Sequence, residues 1–166
     1  GYIFWFDAVS SRLQQFRGLE ASYTIETWFR SVTLNDDYMT LFAAADSATT
    51  NHFIDILIDD EGYVVWRHTP RTSDNPLTYG QATEIQSVNT YAGAGETFHH
   101  LALVYNNSTK YMNMFVDGYI VASGTASGAI NDSCEIVMGK KGPSENDNYF
   151  RGYLDDFRIW NTARDW

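Results

Sequence analysis

This chain of 166 residues provides little for disulfides, for proline breaks or for membrane-spanning helices. Cys134 is its single cysteine, so no intrachain disulfide can form. The neighbours of Cys134, Asp132-Ser-Cys-Glu-Ile-Val-Met138, read as the start of a buried strand. No basic segment or base residue adjoins the thiol to lower its pKa, so it reads as structural rather than nucleophilic. One cysteine fits a cytosolic or a secreted protein and leaves the compartment open. Only 3 prolines occur, so strands are rarely interrupted. No run of about 18 apolar residues is present to form a transmembrane helix. A helical period is not sustained anywhere, and the best candidate, Ser10–Gln15, is short. Positive charge is scarce: 11 Lys and Arg stand against 21 Asp and Glu, a formal charge of −10. Such a chain is repelled by nucleic acid and by anionic membrane surfaces, but it is compatible with neutral polymers and divalent cations. No leader segment is visible. The opening Gly1-Tyr-Ile-Phe-Trp-Phe6 is already strand-like, so the expectation is one domain, 1–166, cut from a larger protein.

Aromatics are abundant instead, at 16% of residues with 5 Trp, 11 Tyr and 10 Phe, which suits sheets filled by large flat side chains. Strand-like runs recur at Tyr2–Phe6, Leu13–Phe16, Tyr23–Arg30, Leu41–Ala45, Phe53–Ile58 and Tyr63–Arg67. They continue at Glu84–Val88, His99–Tyr105, Tyr111–Val116, Tyr119–Ser123, Glu135–Met138 and Phe150–Ile159. In the third run Tyr23, Ile25 and Thr27 share one face, and Thr24, Glu26 and Trp28 the other. Asp59-Asp-Glu-Gly62 and Asp117-Gly118 are hairpin turns. Two longer loops, Thr69–Leu77 and Gly142–Asn148, separate other runs. Many short strands joined by hairpins, without helices, predict an all-β fold: a two-sheet antiparallel jelly-roll β-sandwich.

The order of several motifs resembles the laminin-G-like domain of the concanavalin A-like lectin/glucanase superfamily. Phe6-Asp7-Ala8 resembles its opening strand, with Ala in place of the usual Gly. Tyr23-Thr-Ile-Glu-Thr-Trp-Phe-Arg30 resembles a "Thr-Ile-Glu-X-Trp" strand, and Phe53–Arg67 the central hairpin. Phe98-His-His-Leu-Ala-Leu-Val-Tyr105 resembles a "Trp-His-His-Val-Ala" strand. Met114-Phe-Val-Asp-Gly118 and Phe150-Arg-Gly-Tyr-Leu-Asp-Asp-Phe-Arg-Ile-Trp160 complete the series. The resemblance implies a jelly roll. It leaves the function open among lectins, adhesion modules, protein-binding modules and glucanases.

Retaining glucanases of this fold carry carboxylates in a pattern like Glu-X-Asp-X-X-Glu on one strand, with acid and nucleophile about 5–5.5 Å apart. No such pattern occurs; the nearest, Asp55 with Asp59–Glu61, runs into a turn. Hence the chain reads as a non-enzyme. His99 and His100 are adjacent in a strand and point to opposite faces, so they cannot chelate one metal together. Calcium prefers six to eight oxygens from loops. By the resemblance, a structural ion takes Asp156 as ligand. A rim ion takes Asp46 or Asn51 together with Asp147 or Asn148. The alternative is that Asp155 and Asp156 accept only backbone or arginine hydrogen bonds.

Sugars need flat aromatic faces beside hydrogen-bonding groups. Trp66, Tyr79, Tyr91, Asn146 and Tyr149 are the candidate ligand-binding residues, whereas Trp5, Trp28 and Trp160 are assigned to the core. Asn106-Asn-Ser108, Asn107-Ser-Thr109 and Asn131-Asp-Ser133 match the glycosylation pattern and fall in predicted turns. The resulting expectation is a calcium-assisted carbohydrate-binding or adhesion module of an extracellular or cell-surface protein. An extracellular protein ligand, or a role as structural spacer, is the alternative; neither nucleic acid nor membrane insertion is expected.

Overall fold

The structure, a computed structural model, describes residues 5–6, 22–45, 51–70, 81–93, 95, 97–128, 130, 135–142 and 147–165. Its strands are β1 (Trp5–Phe6), β2 (Tyr23–Ser31), β3 (Met39–Ala45), β4 (His52–Ile58), β5 (Tyr63–His68) and β6 (Thr83–Thr90). They are followed by β7 (His99–Asn106), β8 (Tyr111–Val116), β9 (Tyr119–Thr125), β10 (Glu135–Met138) and β11 (Gly152–Trp160). Two antiparallel sheets, in the orders β1-β10-β3-β4-β5-β6 and β11-β2-β7-β8-β9, form a jelly-roll sandwich. The predicted strand at Leu13–Phe16, the helical candidate at Ser10–Gln15 and Cys134 lie outside the described residues.

Both hairpin signals form their turns. Gly62 closes the β4–β5 turn at φ 96°, while Asp59 Oδ1 accepts the amides of Glu61 and Tyr63. Asp117 and Gly118 both take positive φ, 53° and 82°, which matches the right-handed twist of β8 and β9. Gly152 answers a steric demand. A Cβ there would lie 2.1 Å from the Arg30 carbonyl oxygen, so only glycine lets the start of β11 meet the end of β2.

The core lies between the sheets and is largely aromatic. Tyr23 meets Trp66 edge-on at 6.2 Å and Tyr105 at 5.4 Å, and it stacks with His68 at 6.0 Å. Trp66 is 0% exposed, which corrects its assignment as a ligand-binding residue: it fills the interior and presents no face to solvent. A wholly buried side chain of this size contributes roughly 2–3 kcal/mol. Burial also pushes the Tyr105 hydroxyl up to about 12, and that hydroxyl donates to Asn107 Oδ1 at 2.8 Å.

His68 is fully buried in this cluster. Its Nε2 lies 2.7 Å from the Gly128 carbonyl oxygen and can only donate to it, which leaves Nδ1 to accept from the Tyr23 hydroxyl at 2.8 Å. Desolvation holds this neutral imidazole down to about 4, with the Gly128 hydrogen bond opposing the shift. Below pH 6.5 the unfolded chain therefore takes up a proton that the folded one refuses. Stability should fall as pH drops from about 6.5 to 4, by about 3 kcal/mol in all. Urea unfolding across that window is expected to show the loss. His68→Gln should be less stable at pH 7.5 but should have a flatter pH dependence. Parallel curves for the two proteins would refute the assignment.

Candidate functional site

The outer face of the five-stranded sheet is built by alternation along β2. Tyr23, Ile25 and Phe29 enter the core, so Thr24, Glu26, Trp28 and Arg30 point the other way. Register supplies their neighbours. Trp28 lies between Asp155 of β11 and His100 of β7, Glu26 between Arg158 and Ala102, and Thr24 between Trp160 and Val104. The bulge between Asp155 and Arg158 gives β11 one extra residue, and Asp156 sits there at φ 51°.

Trp28 is 40% exposed and Trp160 is 37% exposed, so both assignments to the core are corrected. The physical reason was present in the sequence. Phe157 and Ile159 pack against the core, so alternation sends Arg158 and Trp160 outward. The Trp28 ring is tilted 56° to the His100 imidazole, with centroids 5.1 Å apart. At one border the Arg30 guanidinium sits 4.4 Å from the centre of the Tyr153 ring and 5.3 Å from that of Phe98. Such stacking holds the planar cation flat and keeps its charge.

At the other border the chain folds back on itself. The Thr24 hydroxyl donates to the Thr162 carbonyl at 2.8 Å and accepts the Arg164 amide at 3.0 Å. Arg164 Nη1 then donates to Glu26 Oε1 at 2.8 Å, and its guanidinium lies 4.3 Å from the centre of the Trp160 ring. Glu26 is only 3% exposed, although it stands on the outer face, because this segment covers it. His100 Nε2 is 4.0 Å from the second Glu26 oxygen. The result is a strip of exposed aromatic rings and guanidinium groups around one sunken carboxylate. It can stack a flat apolar ring and offer hydrogen bonds at its edges.

The residues singled out from sequence are distributed differently. Tyr91 lies at the rim, in an open cleft of about 270 Å³ with Ser31, Thr90, Thr97 and His99. Its ring meets the His99 imidazole edge-on at 5.3 Å. His99 Nδ1 lies 2.7 Å from Asp117 Oδ2, while His100 faces Trp28, so the two histidines serve opposite faces. Tyr149 is exposed at the same end. Asp147 lies 3.6 Å from Lys141, and the Asn148 carbonyl accepts the Thr40 amide at 2.8 Å. Asp46, Tyr79 and Asn146 lie outside the described residues.

The pairing of Asn51 with Asp147 or Asn148 around one ion is corrected. Asn148 is tied to Thr40 at the start of β3, whereas Asn51 precedes His52, which pairs with Ala45 at the strand's other end. Five residues of strand separate these points by about 16 Å, against bonds of roughly 2.5 Å to a shared calcium. Asp156 is engaged by Arg158, whose Nη2 lies 2.6 Å from Oδ2, and Asp155 Oδ1 accepts the Asp156 amide at 2.8 Å. Among the described residues no group of three or more His, Cys, Asp or Glu is arranged to hold a metal. Asp55 is paired with His52, and Asp59 accepts from Gln86 as well as from its own turn.

A family model for the concanavalin A-like lectin/glucanases superfamily matches residues 7–166 of the chain. Human pappalysin-1 is 31% identical over 119 residues, which are 63% of this chain and 7% of that protein, so the chain spans a small fraction of this relative's length. Among solved structures, the Ruminococcus gnavus IT-sialidase CBM40 bound to alpha2,3 sialyllactose superposes with a TM-score of 0.72 at 15% identity. The match covers 97% of this chain and 87% of that one. The NanB sialidase of Streptococcus pneumoniae gives 0.72 at 18% identity over 98% of this chain and 25% of its own. At these identities the likeness is one of fold.

The Glu26–Arg164 pair gives the outer face a direct test. Glu26→Gln removes the charge that holds Arg164, at a cost of about 1–3 kcal/mol. Trypsin should then cleave after Arg164 several-fold faster than in the parent protein. Unchanged cleavage would mean that the segment is held by Thr24 alone.

Proposed function

The chain belongs to the concanavalin A-like lectin/glucanases superfamily, and on that premise we propose that it is a non-catalytic recognition module that binds carbohydrate. The module would work as part of an extracellular or cell-surface protein, in recognition or adhesion. One observation carries the reading: Trp28, Trp160 and Tyr153 expose ring surface on a single sheet face, next to the guanidinium groups of Arg30, Arg158 and Arg164. A pyranose has an apolar face that stacks on a ring and a polar rim that hydrogen-bonds. Guanidinium groups beside the rings can hydrogen-bond a carboxylate as well as a hydroxyl, so sugars that bear a carboxylate fall within the ligand class. The sialyllactose complex of the CBM40 relative supports the same ligand class.

Mechanistically the face is preorganised. The sheet fixes Trp28 and His100, Tyr153 and Phe98 flank Arg30, and Glu26 fixes Arg164. Little side-chain freedom is left to lose when a ligand arrives. No step of bond making or breaking is invoked.

An array holding neutral and acidic oligosaccharides, read at two salt concentrations, tests this. Acidic glycans are expected to bind more weakly in high salt. Trp28→Ala should weaken binding about tenfold, equivalent to about 1.4 kcal/mol of stacking, with little change in melting temperature because the residue is partly exposed. An array without binding, or full binding by the Trp28→Ala protein, would move the function elsewhere. A protein partner is the second reading. Tyr119 and Ile120, both well exposed on the edge strand β9, favour it.

Calcium assistance is a separable part of the proposal. Asp156 pairs with Arg158 and Asp147 with Lys141, so calcium at either carboxylate would take the place of a side-chain cation. Adding calcium to chelator-treated protein is then expected to raise the melting temperature by several degrees. Equal melting would remove the ion and leave the sheet-face reading untouched.

A further inference from the structure

We propose that Asn106 is the acceptor of an N-linked glycan, and that the overlapping site at Asn107 is closed by the fold. The proposal rests on the extracellular placement above and not on the ligand of the sheet face. Both residues begin an Asn-X-Ser/Thr pattern, Asn106-Asn-Ser108 and Asn107-Ser-Thr109. The sequence alone does not choose between them; the β7–β8 turn does.

Asn106 ends β7 and is partly exposed. Its Oδ1 accepts three hydrogen bonds from the turn: the Ser108 amide at 3.0 Å, the Ser108 hydroxyl at 2.7 Å and the Thr109 amide at 3.3 Å. This fixes the carboxamide by its oxygen. Among the described residues no protein group accepts from its Nδ2. The nitrogen that would carry the sugar is thus held in place and unused. Asn107 is the reverse case. It is 6% exposed, and its Oδ1 accepts from the buried Tyr105 hydroxyl at 2.8 Å and from Lys110 Nζ at 2.7 Å. The whole side chain is packed under the turn, so a sugar on its nitrogen would have to prise the turn from the core.

The cross-strand neighbour supports the same choice. Asn106 pairs in register with Tyr111, which is 56% exposed on the turn's other strand. An aromatic ring directly opposite is within reach of the first sugar, whose apolar face it can cover. Six residues of β7 separate Asn106 from His100, about 20 Å, so a glycan there leaves the Trp28–His100 region open. The reaction is a transfer from a lipid-linked oligosaccharide pyrophosphate. Nδ2 loses a proton and bonds to the anomeric carbon, and the sugar's bond to the pyrophosphate breaks.

The test is secretion of the chain from cultured animal cells behind a cleavable leader, followed by peptide N-glycosidase and mass spectrometry. That enzyme converts a glycosylated Asn to Asp, so the occupied position is read directly, whether or not the sheet face binds sugar. Asp at 106 and Asn at 107 in the secreted protein is the expected result. Asn106→Gln, which keeps the pattern at Asn107, should be secreted without sugar at the turn. An unmodified Asn106 in the secreted parent protein, or a secreted Asn106→Gln protein carrying sugar at Asn107, would overturn the proposal.

Discussion

The two-residue alternation of β2 is the constraint from which most of this molecule follows. The strand is paired on both edges, to β11 and to β7, so its register fixes theirs. Its inward residues Tyr23, Ile25 and Phe29 join the aromatic core, and its outward residues Thr24, Glu26, Trp28 and Arg30 line the outer face of the sheet. A slip of one residue would exchange the two sets, placing a carboxylate and a guanidinium between the sheets. The interior excludes that alternative strongly, because an unpaired buried charge costs several kcal/mol. Core packing therefore specifies which side chains the outer face presents as well as the fold.

Much of the architecture was legible because it rests on local rules. The strand runs and the Asp59–Gly62 and Asp117-Gly118 turns depend on neighbours within a few residues, and the motif order placed the family. The site was less legible. Alternation already put Trp28 beside Glu26 and Trp160 beside Arg158. The richness in aromatics argued for burial instead, and the average expectation for tryptophan outweighed the phase of the strand. Trp66 erred the other way: alternation with the partly exposed Tyr63 and Arg67 sends Val64, Trp66 and His68 inward, but the flat ring was given to a sugar. The link between Glu26 and Arg164 spans 138 residues and has no local signal. Asn51 and Asn148 shared a motif-based expectation, but strand direction carries them to opposite ends of β3.

The charge distribution adds to this picture. A chain this negative repels acidic polymers at long range. On the outer face the arginines are instead held at set points, by the Tyr153 and Phe98 rings, by Asp156 and by Glu26. Attraction there acts over short distances. Such short-range attraction differs from the long-range pull that a polyanion exerts on a basic surface.

Gly62 has a consequence for how such a scaffold diversifies. Its carbonyl oxygen accepts the amides of both Tyr91 and Ala92, and a Cβ at this position would stand 2.5 Å from the Ala92 oxygen. The β4–β5 turn and the segment after β6 are therefore locked as one unit, in which a change to either must be matched by the other. The stretch from Val32 to Tyr38 crosses the same end with several exposed side chains. Drift, or a laboratory library, should find variation tolerated there first, so that the rim divides into a heritable frame and a region open to experiment.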